Sequence, residues 1–334
     1  MEVDPLSQGW VKLLPKISRP KPLKGLRIPY LYVFILPALI LIAVFYLMPV
    51  MLTVVISFTS MDYRLEWDWV GLGNYYRMLR DRWAHIILRN TLFYAIATLA
   101  CFNVGMALVI SLLTTHIHDK TGAAFRAAWL LPRITPSTVY IVIWNWALAP
   151  YPYGLFNWVL HSLGLDFTLQ KFTIKPVHPL IPVSWVWVWV ILVNGFIGAS
   201  FGMVIFTAAI KAIPLDYINA AKVDGASTLQ IIRYVILPMI RWPILFVTAY
   251  QTLSLLTSYE QILLFTDGGP GYATEVWALY SFHKAFAEYA GAFEFGYGAA
   301  LAVILVIIGL IASITYYKVF RFRELMLESK IEVT

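Results

Sequence analysis

Ile213-Pro214-Leu215-Asp216-Tyr217-Ile218-Asn219-Ala220-Ala221-Lys222-Val223-Asp224-Gly225-Ala226-Ser227, followed by Ile236-Leu237-Pro238, is a polar island between two hydrophobic runs. Pro214 suits a helix start, where its missing N–H has no intrahelical partner, and Asp216 then sits near the positive end of the helix dipole. Gly225 can take the left-handed conformation that stops a helix, so the helix ends near Asp224. Ser227 and Gln230 have the spacing of a capping box that opens a second helix. The stretch therefore predicts two short helices joined by a glycine elbow. Ala220 and Ala221 leave a shallow surface, with Ile218 and Val223 as apolar contacts. Physically this is either a docking surface or a solvated linker, and the residues alone leave both open.

The flanks decide the fold class. With 60% hydrophobic and 13% charged residues among 334 and a mean hydropathy of +0.73, the chain cannot hide its apolar surface in a water-soluble domain. Uncharged runs long enough to cross a bilayer fall at 31–58, 90–115, 183–210, 242–259 and 295–317, each near the roughly 20 residues a spanning helix needs. A sixth at 134–149 becomes a full span if its helix starts near Ala123. The prediction is an all-α membrane protein of six transmembrane helices.

An even number of spans puts both termini on one side, and most of the 25 lysines and arginines lie on that side. The positive-inside rule makes it cytoplasmic. The 60–89 loop carries Arg64, Arg77, Arg80, Arg82 and Arg89 on the outer side, largely offset by Asp62, Glu66, Asp68 and Asp81. The organisation expected is a basic cytoplasmic tail at 1–29, a transmembrane domain at 30–320 with the island at about 213–238 inside it, and a cytoplasmic tail at 321–334. Outer connections are expected at 60–89, at 150–182 with a short helix near Leu155–Leu163, and at 259–294 with a tight turn at Asp267-Gly268-Gly269-Pro270-Gly271. The run from Leu31 is too long for the apolar core of a cleavable signal peptide, so it reads as a retained helix. The lone Cys101 forms no internal disulfide. The net charge of +7 follows from flanks that meet anionic lipid headgroups, and nucleic acid is not implied.

The island also resembles the EAA loop of binding-protein-dependent ABC importer permeases, whose pattern is roughly E-A-A-x-x-D-G-A followed by I-x-L-P. Here it reads Asn219-Ala220-Ala221-Lys222-Val223-Asp224-Gly225-Ala226, then Ile236-Leu237-Pro238. Three further segments resemble the carbohydrate-uptake branch and its MalF/UgpA-like subunit. They are Gly71-Leu72-Gly73-Asn74-Tyr75 leading to Asn90-Thr91-Leu92, Trp129-Leu130-Leu131-Pro132 running to Tyr153-Gly154-Leu155-Phe156-Asn157, and Phe265-Thr266-Asp267-Gly268-Gly269-Pro270 with Ala273-Thr274-Glu275, ending at Gly296-Tyr297-Gly298-Ala299-Ala300. Together they span most of the chain from about residue 30, in the family's order.

The resemblance implies a type I ABC importer permease fold, in which a cytoplasmic coupling helix docks on an ATPase. The implied partners are a second, similar permease, two copies of an ABC ATPase subunit, an extracytoplasmic solute-binding protein and membrane lipid. It places Asn219, Ala220, Ala221, Asp224 and Gly225 at the ATPase joint. Asn219 departs from the family's usual Glu, replacing a charge-assisted contact by a neutral one. No G-x-x-x-x-G-K-[ST] phosphate loop is present, so ATP and Mg are expected on the partner ATPase and no cofactor or catalytic site in this chain.

For the solute, Asn194-Gly195-Phe196-Ile197-Gly198 puts Asn194 and Gly198 where sugar permeases of the family carry sugar-contacting residues. In the fifth run Tyr250, Gln251, Ser254, Ser258 and Tyr259 recur at helical spacing, with Gln251, Ser254 and Ser258 on one face. Amides and hydroxyls beside aromatics suit a neutral sugar or polyol, and the competing reading is helix–helix hydrogen bonding. Trp144, Asn145 and Trp146 are ambiguous in the same way. Trp185, Trp187 and Trp189 alternate by two, which predicts interfacial anchors. Arg133 is expected at the cytoplasmic boundary and Glu260 at the outer vestibule. A membrane-embedded enzyme would have to use His116-x-His118 with Asp119, whose i, i+2 histidines share no helical face. A secondary transporter would need acidic residues inside the spans, and none of the six has one mid-span. Within the importer reading, a glycerol-phosphate-type or other non-sugar solute is the alternative.

Overall fold

A computed structural model describes residues 28–165, 176–178, 181–287 and 293–320. The tails expected at 1–29 and 321–334 lie outside these, apart from residues 28 and 29. Contacts divide the chain into two units, residues 1–52 and 53–334. The first helix, α1 (Tyr32–Ile56), begins in one and ends in the other. Within its own unit α1 is apolar on all sides and carries Pro37. A π turn at Ala43–Leu47 sits just ahead of Pro49, as expected where a proline removes one N–H from the ladder.

The second unit continues with α2 (Gly73–Arg80), α3 (Arg82–Thr115), α4 (Asp119–Ile134), α5 (Ser137–Ala147) and α6 (Leu155–Ser162). Two short antiparallel strands, β1 (Pro176–His178) and β2 (Ile181–Ser184), follow. They correct the all-α expectation to a nearly all-helical chain. Then come α7 (Trp185–Lys211), α8 (Leu215–Val223), α9 (Thr228–Met239) and α10 (Arg241–Leu256), α11 (Glu260–Phe265), α12 (Trp277–Phe286) and α13 (Phe295–Val319).

Four described helices, α1, α3, α7 and α13, are long and apolar enough to cross a membrane, and α9 with α10, bent by 67°, would make a fifth. The expected third span is not one helix. Pro136 forces Thr135 to an extended ψ of 134°, as a proline does to the residue before it, and the helix restarts at Ser137. The second span starts earlier than expected, at Arg82, because the Asp81 carboxylate caps it by accepting the Trp83 N–H at 2.9 Å. The fifth stops at Leu256, short of the predicted residue 259.

α7 is the axis of the unit. Gly195, Gly198 and Gly202 fall on one face (i, i+3, i+7), and a Cβ at any of them would collide with Phe102, Asn103 or Ala107 of α3. Small residues let two backbones approach closely inside a membrane, here along the π stretch Leu99–Met106 of α3. The Ser111 hydroxyl adds a bond to the Met203 carbonyl at 3.0 Å. On the other flank the Tyr140 hydroxyl of α5 donates to the Val193 carbonyl at 2.8 Å. Trp187 and Trp189 correct the interfacial reading: each is 8% exposed and belongs to the main core cluster with Tyr94, Tyr140 and Phe265. Alternation by two does spread them around α7, but that helix is packed on several sides.

Candidate coupling surface and transport path

The island folds as its sequence dictates. α8 begins after Pro214, and Asp224 ends it. Gly225 then takes a φ of 79°. Ser227 and Gln230 exchange the two bonds of a capping box, with the Ser227 N–H to Gln230 Oε1 distance at 2.7 Å. The second helix is longer than expected, running through a π turn (Ile232–Ile236) to Met239.

Beneath the elbow lies a cluster of five buried isoleucines, Ile210, Ile213, Ile231, Ile236 and Ile240, with Ile218, Ala221 and Ala226 packed against it. Of the expected docking residues, Asn219, Ala220, Asp224 and Gly225 are exposed, whereas Ala221 is half-buried. Ile218 likewise turns inward, so the outward apolar groups are Val223, 87% exposed, with Leu215, Tyr217, Leu229 and Tyr234. Ala221, Asp224 and Gly225 line a shallow cavity of about 280 Å³ with Gln230 and Tyr234, which Asn219 does not line. Nearby, Lys211 at the end of α7 pairs with Asp119 at the start of α4 at 2.5 Å. His116 turns back on its own helix, with Nδ1 2.7 Å from the Leu112 carbonyl. Among the described residues no group of three His, Cys, Asp or Glu side chains is placed to hold a metal ion.

The predicted solute-lining residues separate into two sets. Asn194, Gly198 and Gln251 come together in the interior: the Asn194 amide donates to the Tyr94 hydroxyl, and Gln251 Nε2 donates to the Gly198 carbonyl at 3.0 Å. Asn194 is 7% and Gln251 5% exposed, so both make interhelical bonds here. Tyr250, Ser254 and Tyr259 are exposed and Ser258 half-buried. Because α10 ends at Leu256, Ser258 and Tyr259 lie beyond it, and the expected shared face of Gln251, Ser254 and Ser258 does not form. The Tyr250 ring stacks on Phe201 of α7 at 4.7 Å, and the Arg133 guanidinium lies 5.8 Å from the Phe201 ring. Tyr259 stacks on Phe282 at 5.3 Å, Glu260 accepts from the Ser137 hydroxyl, and Asn145 lies 3.5 Å from the Leu264 carbonyl.

Two residues of this interior were not singled out by the sequence. Tyr94 is fully buried, and Asn103 is 1% exposed with its Oδ1 unpaired. The signal for Asn103 was available, since it is the amide of an otherwise apolar run. Its position against Gly198 was not.

Residues 107–323 match the family model for the binding-protein-dependent transport system inner membrane component. A probable ABC transporter permease protein of Pyrococcus horikoshii, PH1215, is 31% identical over 293 residues, covering 86% of this chain and 94% of that one. The trehalose/maltose transport system permease protein MalF of Thermococcus litoralis is 29% identical over 298 residues, covering 88% and 94%. Among solved structures, a bacterial ABC transporter involved in the import of the acidic polysaccharide alginate superposes with a TM-score of 0.75 at 20% identity, over 87% of this chain and 95% of that one, which shows a shared fold. The apolar spans, the exposed elbow between them and these matches lead to one conclusion: the chain belongs to the inner membrane components of binding-protein-dependent transport systems, as a multi-pass permease of an ABC transporter.

Proposed function

We propose that this chain is the permease subunit of an ATP-driven importer for a sugar or polyol, working with a second permease, two copies of an ATPase subunit and an extracytoplasmic solute-binding protein. The observation that carries the coupling role is α8 and its elbow: an exposed apolar and small-residue surface held on a packed isoleucine platform between α7 and α10. A load applied to α8 reaches both helices that bear the candidate lining residues, because Ile210 belongs to α7 and Ile236 and Ile240 lead directly into α10. ATP and Mg then act on the partner subunit, and this chain converts the partner's closure into helix movement.

The solute assignment rests on the curated relatives, which include a trehalose/maltose permease and a lactose permease of Rhizobium radiobacter. It agrees with an interior of uncharged amides and hydroxyls, Asn194, Gln251 and Tyr94, beside the exposed Tyr250, Ser254 and Tyr259 and the half-buried Ser258. Neutral hydroxyl-rich solutes need paired donors and acceptors and aromatic faces, and these groups supply both.

The test is ATP hydrolysis by the reconstituted permease–ATPase complex, with and without its binding protein, across neutral sugars, polyols and phosphorylated polyols. Stimulation by one neutral sugar with its binding protein is the expected result, and hydrolysis indifferent to every solute would sink the proposal. Asn219→Glu is expected to raise the stimulated rate several-fold, since a charge-assisted contact is about twice as strong as a neutral one.

A further inference from the structure

Away from the coupling surface, the connection between α11 and α12 closes on itself through three titratable side chains. His283 of α12 presents Nδ1 to Glu275 Oε1 at 2.9 Å and Nε2 to Asp267 Oδ1 at 3.1 Å. The side chains of Glu275 and His283 are 2% and 13% exposed and that of Asp267 42%. All three border a cleft of about 400 Å³. Gly268, at a φ of 72°, leaves no room for a Cβ beside the Glu275 carboxylate.

A neutral imidazole has a single N–H. With a carboxylate oxygen at each nitrogen, both contacts are favourable only when the ring is an imidazolium or a carboxyl group carries the proton. The ring stands between the two carboxylates, so no single point meets all three groups, and the ligand that fits this arrangement is a proton.

We propose that Asp267, Glu275 and His283 are a proton-binding latch, which holds the 267–275 turn against α12 while protonated and releases it when the proton leaves, making transport by this chain responsive to pH on the face bearing that turn. The transport consequence rests on the importer reading; the latch itself does not.

The surroundings favour the proton. Burial works against the His283 cation, but the hydrogen bond and charge of Glu275, joined by Asp267, outweigh it and raise His283 above 6.5. Burial raises the Glu275 carboxyl, and His283 pulls it back only in part. Both shifts have one sign: the stabilisation is full below the ordinary value of each group and is lost as pH rises through its raised value. Around the cluster stand Tyr272 of the turn, Tyr280 and Lys284 of α12, Asp81, which accepts from Tyr280 at 2.6 Å, and Glu294, 3.9 Å from Lys284. The cations nearby are Lys284, Arg80, which borders a cleft with Asp81 and Lys284, and Arg77, already bound to Glu294 at 2.6 Å, fewer than the carboxylates of Asp267, Glu275, Asp81 and Glu294 once His283 loses its charge.

The latch acts on a segment with other anchors. Asn90 Nδ2 of α3 lies 3.3 Å from the Tyr272, Ala273 and Glu275 carbonyls. On its other side the turn continues into α11, which starts one residue after Tyr259. Releasing Asp267 from His283 therefore loosens the end of the turn that leads back to the candidate lining residues, while Asn90 keeps hold of the other end.

Amide hydrogen exchange across 267–275, measured on the permease–ATPase complex in nanodiscs and corrected for intrinsic rates, tests the latch. Protection should fall several-fold between pH 6 and pH 9, as the raised His283 and Glu275 groups lose their protons. In His283→Gln it should be low at both, and in Glu275→Gln the fall should move to lower pH, because the imidazolium loses its nearer anion. Exchange independent of pH in the wild type, or a fall unmoved by both substitutions, would overturn the proposal. In proteoliposomes with pH set separately on each side, solute-stimulated hydrolysis should decline when the side receiving binding protein is made alkaline. A pH-dependent turn in a complex that no solute stimulates leaves the latch standing and the importer reading refuted. Stimulation with a pH-independent turn refutes the latch alone.

Discussion

Gly198 and Asn103 divide one volume between them. The glycine hydrogen faces an amide that a methyl group would strike, and Gln251 bonds the Gly198 carbonyl from the other side at 3.0 Å. Gly198→Ala should therefore destabilise the protein by roughly 1–3 kcal/mol, the usual cost of forcing extra volume into a packed core. Asn103→Ala should relieve most of that cost, giving a double-mutant cycle with a coupling energy well outside the few tenths of a kcal/mol found for independent sites. Additive losses in detergent-solubilised thermal unfolding would show that the amide is not what the methyl meets. The sequence flagged Asn194, Gly198 and Gln251 as polar or small residues inside apolar runs, and the structure gathers all three. It gave no hint that Asn194 bonds Tyr94, because the two are 100 positions apart and nothing in either run marks its partner.

At the scale of the element, proline position explains most departures from a simple row of spans. Pro136 divides the expected third span. Pro238 follows the π turn of α9, and Pro243 sits in the first turn of α10, where its missing N–H is tolerated. That N–H would otherwise have continued the α9 ladder, so the chain breaks at Ile240 and bends by 67°. These prolines were visible in the sequence, but whether a proline kinks, breaks or only widens a helix depends on what the freed backbone groups can meet. Gly225 is the simpler case, since its φ of 79° is open to glycine and a Cβ there would touch nothing within 4 Å. Gly225→Ala should thus cost only the left-handed penalty, roughly 1–2 kcal/mol, all of it at the elbow. The expected outcome is reduced solute-stimulated hydrolysis with a small change in the melting temperature of the complex, and a large fall in melting temperature would place the effect in folding instead.

For the whole molecule, the arrangement of spans fixes which faces meet which compartment. The topology proposed from the positive-inside rule puts α8 in the cytoplasm and the 60–89 region on the outer side. In a Cys101→Ser background, Val223→Cys should react with an impermeant maleimide only from the cytoplasmic side, and Tyr63→Cys only from the other; both sites are exposed, at 87% and 53%. Labelling of both from one side would invert or break the topology. Composition and run length alone determined that this is a polytopic, almost wholly helical membrane protein, because an apolar helix satisfies its own backbone in lipid whatever its neighbours are. The elbow was also legible, since caps and glycine turns are governed by residues a few positions apart. Only the tertiary structure decided that Trp187 and Trp189 belong to the core, that Ala221 and Ile218 turn inward while Val223 stays out, and that Asp267 and Glu275 meet the two ring nitrogens of His283. Each of those outcomes depends on what a distant segment places opposite the side chain, and in a chain apolar on nearly every face, periodicity does not say which face will find a partner.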